Sequence, residues 1–448
     1  MREKKQRSRP RYPERLTALF LLLMALVYPL WITGNYQTIT EQKFSCFLAL
    51  AGGYVLLMAV LGLELLAVGQ ARCPSPKALW ARASLPQKLV VAYALCTLAS
   101  AALSPFGGET LWGMSRSEGL VTQLLYCGMF LLVSVFGRAD RRLLYALGLS
   151  VSVVSAVGLL QLAGWNPLGL YPAGLTYYDA GSAYFGAYLS TIGNVDLLAA
   201  FLCAAVPLFA GTLARRRDRG RLVLLIPLVL ALTLLLWMRV AAGIVGVLGA
   251  ALVLCPALSV APRRRKRLAL ASLALALGGL AAVYALGGRV GGTVGEFSKL
   301  LHGQVEDSFG SGRVYIWKQV AGLVPERLWF GGGPDTLAAR VSGYFQRYDA
   351  ATGLTLRSLI DTAHCEYLNI LVNQGLLALL AYLGALAASA VRWVRRAPVD
   401  TVAAVLGGGV LCYGIQALFG ISSFITAPAL WLVWGLLEQR LSKKEEDG

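Results

Sequence analysis

Residues 222–260 read LVLLIPLVLALTLLLWMRVAAGIVGVLGAALVLCPALSV, an almost unbroken apolar run with one charged residue, Arg239, near its middle. A helix rises roughly 1.5 Å per residue and must cross about 30 Å of hydrocarbon, so about 20 apolar residues make one membrane span. The run is long enough for two. A lone arginine in the middle of the hydrocarbon is costly, so the stretch reads as a tight hairpin of two spans, 222–237 and 240–260, with Arg239 at its tip.

Working outward, similar segments recur at 17–34, 45–68, 88–104, 119–137, 143–163, 195–213, 268–287, 365–390, 401–419 and 424–439, for about twelve spans in all. Of 448 residues, 57% are hydrophobic and only 14% charged, and the mean hydropathy is +0.63. An ordinary soluble domain has roughly 45–50% apolar and about 25% charged residues, so a soluble enzyme is excluded. The expectation is an all-α integral membrane protein, a single polytopic domain over 1–448. Three spans lie within 1–104, and one long loop, 288–364, is expected to carry short helices.

Charge tests that layout independently. With the N-terminus inside, the segments 1–16, 69–88, 138–142, 214–221, 261–267, 391–400 and 440–448 hold 30 of the 41 Lys and Arg. That is the positive-inside asymmetry, so both termini are expected in the cytoplasm and the 288–364 loop outside. The net charge of +18 is therefore a topology signal first and not a basic surface for nucleic acid. The run Arg263-Arg264-Arg265-Lys266-Arg267 also suits anionic lipid headgroups. The N-terminus has the charge order of a signal peptide without a small-x-small cleavage site, and reads as an uncleaved anchor. Eight scattered cysteines with no CxxC pair and only two histidines suggest neither a zinc site nor a disulfide framework.

Polar residues at the outer boundary are the candidates for chemistry, because each must offset its desolvation. Arg116 and Glu118 end the short loop 104–118. In the loop 164–196, which contains no Lys or Arg, Asn194 and Asp196 open a helix, with Asn194 suited to capping it. Tyr171, Tyr177, Tyr178, Tyr184, Tyr188 and Trp165 of that loop suit an interfacial belt or a sugar-stacking surface. Arg239 offers a planar fork to phosphate oxygens. In the long loop, Arg313 opens an amphipathic helix that includes Trp317 and closes at Pro325. A Gly331-Gly332-Gly333-Pro334 turn follows, with Asp335 placed to cap the next helix; without GK[ST] after it, the glycine run reads as a plain turn. His364 stands at the mouth of the 365–390 span, and Asp361 and Tyr367 lie one helical turn to either side, on one face. A carboxylate beside an imidazole raises its pKa and suits it to act as a base.

Taken together, these stretches resemble the O-antigen ligase and O-antigen polymerase superfamily, bacterial membrane glycosyltransferases of the type C class. His364 and Gly375 keep the spacing of the family's histidine motif, with Cys365 and Ala378 at two positions where other residues are usual. Arg313 in GRVYIW, the turn LWFGGGPDTL, Arg239 in WMRVAAG and Gly193-Asn194-Val195-Asp196 match further family motifs, and the resemblance makes 105–440 a ligase-like core. It implies a metal-independent, inverting transfer of a glycan from undecaprenyl diphosphate to an acceptor hydroxyl of a glycan, lipid or protein, outside the cytoplasmic membrane. Arg239 and Arg313 would bind the diphosphate and His364 would take the acceptor proton. Arg116, Asn194, Asp196, Trp317 and Tyr367 are candidates for substrate contact. Asp361 as orienter of His364 comes from spacing alone. No nucleotide loop and no Asp-x-Asp pair is found, and no cofactor is expected. A surface-polysaccharide polymerase shares this donor half. A lipid or polysaccharide flippase would line the midplane with charges, whereas here only Glu64 breaks the apolar interior; a receptor would use the long loop as a ligand platform.

Overall fold

A computed structural model describes residues 12–68, 75–179, 188–349 and 354–442. The terminal segments 1–11 and 443–448, Cys73 and Tyr184 lie outside them. The chain is mostly helical: α1 (Tyr12–Leu30), α2 (Ile39–Ala67), α3 (Leu85–Ala102), α4 (Leu120–Phe136) and α5 (Arg141–Leu162) come first. Next are α6 (Val195–Arg215), α7 (Arg219–Met238), α8 (Ala241–Ala257) and α9 (Pro262–Arg289). The chain continues with α10 (Gly292–Leu301), α11 (Phe309–Leu323), α12 (Glu366–Gln374), α13 (Leu376–Arg396), α14 (Thr401–Gln416) and α15 (Ala427–Ser442). Among the described residues, eight of these are long and apolar enough to cross a membrane: α1, α2, α3, α5, α6, α7, α9 and α13. The segments expected at 119–137, 240–260 and 401–419 appear as the shorter apolar helices α4, α8 and α14.

Local chemistry sets the helix starts. Ser84 and Gln87 form a reciprocal capping box at α3, and the side chains of Asp140, Asn194 and Asp400 accept the first amides of α5, α6 and α14. The run 222–260 breaks where the arginine predicts. α7 ends with Arg239 in the left-handed region (φ 54°, ψ 29°), and Gly243 packs back against Leu235 across the turn.

α6 is the axis of the bundle, buried for most of its length and in close contact with α14. Small residues permit that approach. A methyl on Gly409 would stand 2.7 Å from the carbonyl oxygen of Ala204, and one on Gly408 would stand 3.2 Å from Pro207. α3 packs on α13 and α4 on α15, around an aromatic cluster of Tyr93, Tyr126, Phe130, Tyr382, Trp431 and Trp434. In contrast, α9 buries none of its residues from Pro262 to Leu286 and lies against the outside of the bundle.

Two expectations change here. The segment 365–390 is not one helix: Gly375 (φ +90°) separates α12 from α13. The long loop is not purely helical either. It carries α10 and α11, and then an antiparallel hairpin of Tyr344–Asp349 with Leu354–Leu359, with Tyr344 opposite Leu359. Glu64 is exposed, whereas the bundle buries charged residues that hydropathy hid. Lys43 is fully buried and donates to the carbonyls of Tyr28 and Pro29, and Glu438 is fully buried against Arg392 and Ser389.

Candidate active site

The site lies at the end of the bundle that carries the 288–364 loop. His364 is the second-last residue of a short irregular segment before α12, and its backbone sits in the left-handed region (φ 47°), an unfavourable conformation for a side chain that neighbouring structure must hold. Two contacts hold it: Trp317 of α11 donates its indole Nε1–H to the carbonyl of Ala363 (2.9 Å), and the amide of Ala363 donates to Asn369 Oδ1 of α12 (3.3 Å). Nδ1 of His364 is buried without a partner among the described protein atoms.

Asp361 does not pair with His364. Since α12 begins only at Glu366, the helical spacing that would stack Asp361, His364 and Tyr367 on one face does not exist. Instead Asp361 accepts both prongs of Arg116, from Nε at 2.9 Å and Nη2 at 3.0 Å. Tyr367 turns toward α14 and donates to the carbonyl of Gly414 (2.7 Å).

Arg313 enters from the start of regular helix in α11, just after a left-handed Gly310-Ser311-Gly312 kink. Its Nη1 donates to Gly310 O (2.8 Å), its Nη2 lies 3.5 Å from Asp196 at the first turn of α6, and its Nε is buried without a partner among the described residues. Asn194 caps that same helix end, accepting the amides of Asp196 (2.8 Å) and Leu197. Arg239 reaches the same end by packing: Gly243, one turn into α8, stands against Ala199, one turn into α6. It is exposed at its turn.

Asp335 does not cap a following helix. Its carboxylate clamps the 113–118 loop, accepting the amides of Ser115 (3.2 Å), Arg116 (2.8 Å) and Glu118 (3.3 Å) and the hydroxyl of Ser115 (2.8 Å). The glycine run is the expected turn. Gly332 and Gly333 donate to the carbonyls of Val372 and Asn373 at the end of α12, which ties the turn to the helix break. Of the aromatic candidates, Tyr171 is buried against Tyr36, while Tyr178 and Trp165 are exposed.

The electrostatics are distinctive. Burial, then the charges of Arg313 and Arg116, hold the His364 imidazole down at about 4, while Asp361 pulls weakly the other way. The site thus presents a neutral imidazole facing two fixed cations. An anion with two or more oxygens fits such a place, because guanidinium forks bind phosphate oxygens in pairs. A larger cavity of about 590 Å³ lies elsewhere in the bundle, lined mainly by apolar residues such as Leu21, Phe201, Val405 and Leu432, and brings together no comparable set of groups.

These features describe a mostly helical protein, with eight helices long and apolar enough to cross a membrane among the described residues and an arginine–histidine cluster at one end. Residues 226–383, which include Arg239, Arg313, Asp361 and His364, match the model of a family described as O-antigen ligase. The match supports placing the chain in the O-antigen ligase superfamily and, in general terms, a ligase- or polymerase-like glycosyltransferase activity. No curated protein matches the chain. Sequence reasoning passed over Glu366, whose place in the first turn of α12 reads as an ordinary helix-start carboxylate, and Asp335's clamp, which joins positions about 220 apart.

Proposed function

We propose that the protein transfers a glycan from undecaprenyl diphosphate to an acceptor hydroxyl on the outer side of the cytoplasmic membrane, in the manner of an O-antigen ligase. The observation that carries this reading is the convergence of Arg313 and Arg116 on His364, with Arg313 Nε and His364 Nδ1 both buried and unpartnered among the described residues. The basic residues of the described chain that cluster at the opposite ends of the helices, such as Arg215, Arg392 and Arg440, support an outward-facing site by the positive-inside rule.

In the reaction, the oxygen of the acceptor hydroxyl attacks the anomeric carbon from the face opposite the diphosphate. The new C–O bond forms as the bond from that carbon to the phosphate oxygen breaks, so the configuration inverts. Negative charge grows on the departing diphosphate, where Arg313 and Arg239 stabilise it; fixed donors aimed at developing charge are typically worth several kcal/mol. His364 accepts the hydroxyl proton. Arg116 adds a third cation, and Asp361 fixes Arg116 while remaining near the imidazole.

The test is release of undecaprenyl diphosphate by purified protein given a lipid-linked glycan and candidate acceptors. The reading fails if His364→Ala, Arg239→Ala and Arg313→Ala variants that fold release it as fast as the wild type. Activity that persists in EDTA separates this chemistry from a metal-dependent transferase. A polymerase is the second reading: it uses the same donor half and is distinguished by a second lipid-linked glycan serving as acceptor.

A further inference from the structure

The cavity of about 590 Å³ lies among α1, α5, α6, α14 and α15, and its walls differ from one end to the other. Apolar side chains such as Met24, Phe201, Val405 and Leu432 line its length. Its charged lining residues, Asp140, Arg141 and Arg216, gather where α5 begins and α6 ends, beside Thr401 at the start of α14. Asn194 and Asp196 stand at the other end of α6, on the side of Arg313 and His364.

The walls say what can fill it. A buried water needs roughly two to four polar partners, which an apolar wall does not supply. An empty space would leave the lining side chains without contacts on one side. At the far end the hydroxyl of Tyr28 is already bonded to the carbonyl of Phe424 (2.6 Å) and asks for no guest. A hydrocarbon chain suits such walls, and in a membrane the hydrocarbon at hand is the acyl chain of a lipid.

Length and charge narrow the choice of lipid. From Phe201 to Arg216, α6 rises about 22 Å at roughly 1.5 Å per residue. One leaflet with its headgroups is roughly 20–22 Å deep, half of a full bilayer, so a chain lying along the cavity places its headgroup beside Arg141 and Arg216. The segments 138–142 and 214–221 that border this mouth carry eight arginines against two aspartates, which favours an anionic headgroup over a zwitterionic one. Asp140 is occupied as the cap of α5, and Arg216 is paired with Asp218 (2.9 Å). Arg141 is exposed and makes no side-chain hydrogen bond or ion pair among the described residues. The tail of the proposed donor would have to enter from the opposite end, because its diphosphate sits beside His364, and the cavity has no charged lining residue there.

We propose that this cavity holds one acyl chain of an anionic phospholipid from the leaflet at the basic end of the bundle, with its phosphate at Arg141. The lipid wedges α1 and α5 against α6, the axial helix. The proposal rests on the membrane setting of the proposed function and not on the transfer reaction.

Thermal unfolding of the delipidated full-length protein in neutral detergent tests this, with phosphatidylglycerol or phosphatidylcholine of the same acyl chains added at constant ionic strength. The expected result is a saturable rise in Tm, half-complete at about fivefold less phosphatidylglycerol than phosphatidylcholine, the worth of one arginine beside an anionic headgroup. Arg141→Ala should remove most of that preference. Ala205→Phe, which fills the cavity from α6, should remove the rise for both lipids. If Ala205→Phe does not fold, Arg141→Ala at the exposed mouth still decides. A wild type that responds alike to the two lipids overturns the proposal, as does an undiminished preference in Arg141→Ala or an undiminished rise in Ala205→Phe. Undecaprenyl phosphate added in the same way should give a smaller rise. A larger one that Ala205→Phe abolishes assigns the cavity to the donor's tail and overturns the proposal too. The readout does not involve glycan transfer, so its failure is distinct from failure of the proposed reaction.

Discussion

Arg116 and Asp361, 245 residues apart, meet through two parallel hydrogen bonds of 2.9 and 3.0 Å. The carboxylate expected to serve His364 is thus engaged by a cation that opposes protonation of the same imidazole. The two partners push the histidine in opposite directions, so removing them should move it in opposite directions. Arg116→Ala should shift the acid limb of kcat/KM for glycan transfer to higher pH, and Asp361→Ala should shift it lower. Equal displacement of both variants in one direction would remove the basis for assigning that limb to His364.

The donor itself should change His364. Burial is the largest cause of its low pKa, but the next two are the charges of Arg313 and Arg116. A bound diphosphate cancels those charges, and a like-charge effect that is cancelled lets the pKa rise. The acid limb of kcat/KM, which reports the free protein, should therefore lie near pH 4–5 given the value of about 4. The limb of kcat, which reports the donor complex, should lie at higher pH. Coincident limbs in the two profiles would count against anion binding beside the imidazole.

Much of this architecture is legible in one dimension. Hydropathy marks the apolar stretches, Arg239 marks the turn within 222–260, and Asn194 announces the cap of α6, because each of these signals acts within a few residues. What sequence does not carry is long-range pairing. Arg116 finds Asp361 and Asp335 finds the 113–118 amides only after the chain has folded. The break at Gly375 is hidden by the apolar residues around it, which satisfy any span-length window, and the 344–359 hairpin is short enough to read as loop. Lys43 and Glu366 are missed for a different reason: burial, not identity, makes them unusual.

Stability should depend on pH from both sides of neutral. The folded pKa of His364, about 4, is below the ordinary imidazole value, so the unfolded chain binds more protons as pH falls from about 6.5 toward 4 and stability drops there. Glu118, raised to about 8 by burial, works in the other direction: its protonated form is favoured by the fold, and stability is lost as pH rises from the ordinary carboxyl range through about 8. The two windows overlap and offset each other between a pH of about 4.5 and 6.5. Glu366, raised to about 7 by burial, adds to the effect of Glu118, so Tm in detergent should fall as pH rises from about 6.5 to 8. Glu118→Gln should flatten the alkaline fall and leave the acid fall in place. An alkaline fall unchanged in that variant would mean another group is responsible.

Trp317→Phe isolates the support of His364 from its chemistry. The substitution keeps an aromatic ring against Phe419, 6.2 Å away between centroids, and deletes only the Nε1–H that holds Ala363 O. Loss of one such bond costs about 1 kcal/mol of stability. Because the bond fixes the left-handed turn at His364, kcat for transfer should fall more than the stability change alone implies, with KM for the donor nearly unchanged. A variant with wild-type kcat would show that the turn is held without the indole.

Gly375→Ala tests whether the broken helix matters. Gly375 has φ +90°, and a methyl there would stand 2.3 Å from the carbonyl oxygen of Trp329 and 2.5 Å from the backbone of Phe330. Neither neighbour is free to retreat, since Leu376 N–H bonds Leu328 O at 2.8 Å and Gly333 N–H bonds Asn373 O at 2.9 Å across the same junction. The substitution therefore combines an unfavourable backbone region with a backbone clash, together about 2 kcal/mol or more. The strain is relieved most readily by running α12 into α13 as one helix, which would swing Glu366 and the His364 turn away from Arg313. The expected outcome is a lower Tm and a loss of transfer activity that mild stabilising conditions, such as lower temperature, do not restore. Recovery of full activity on cooling would show that the break serves folding alone.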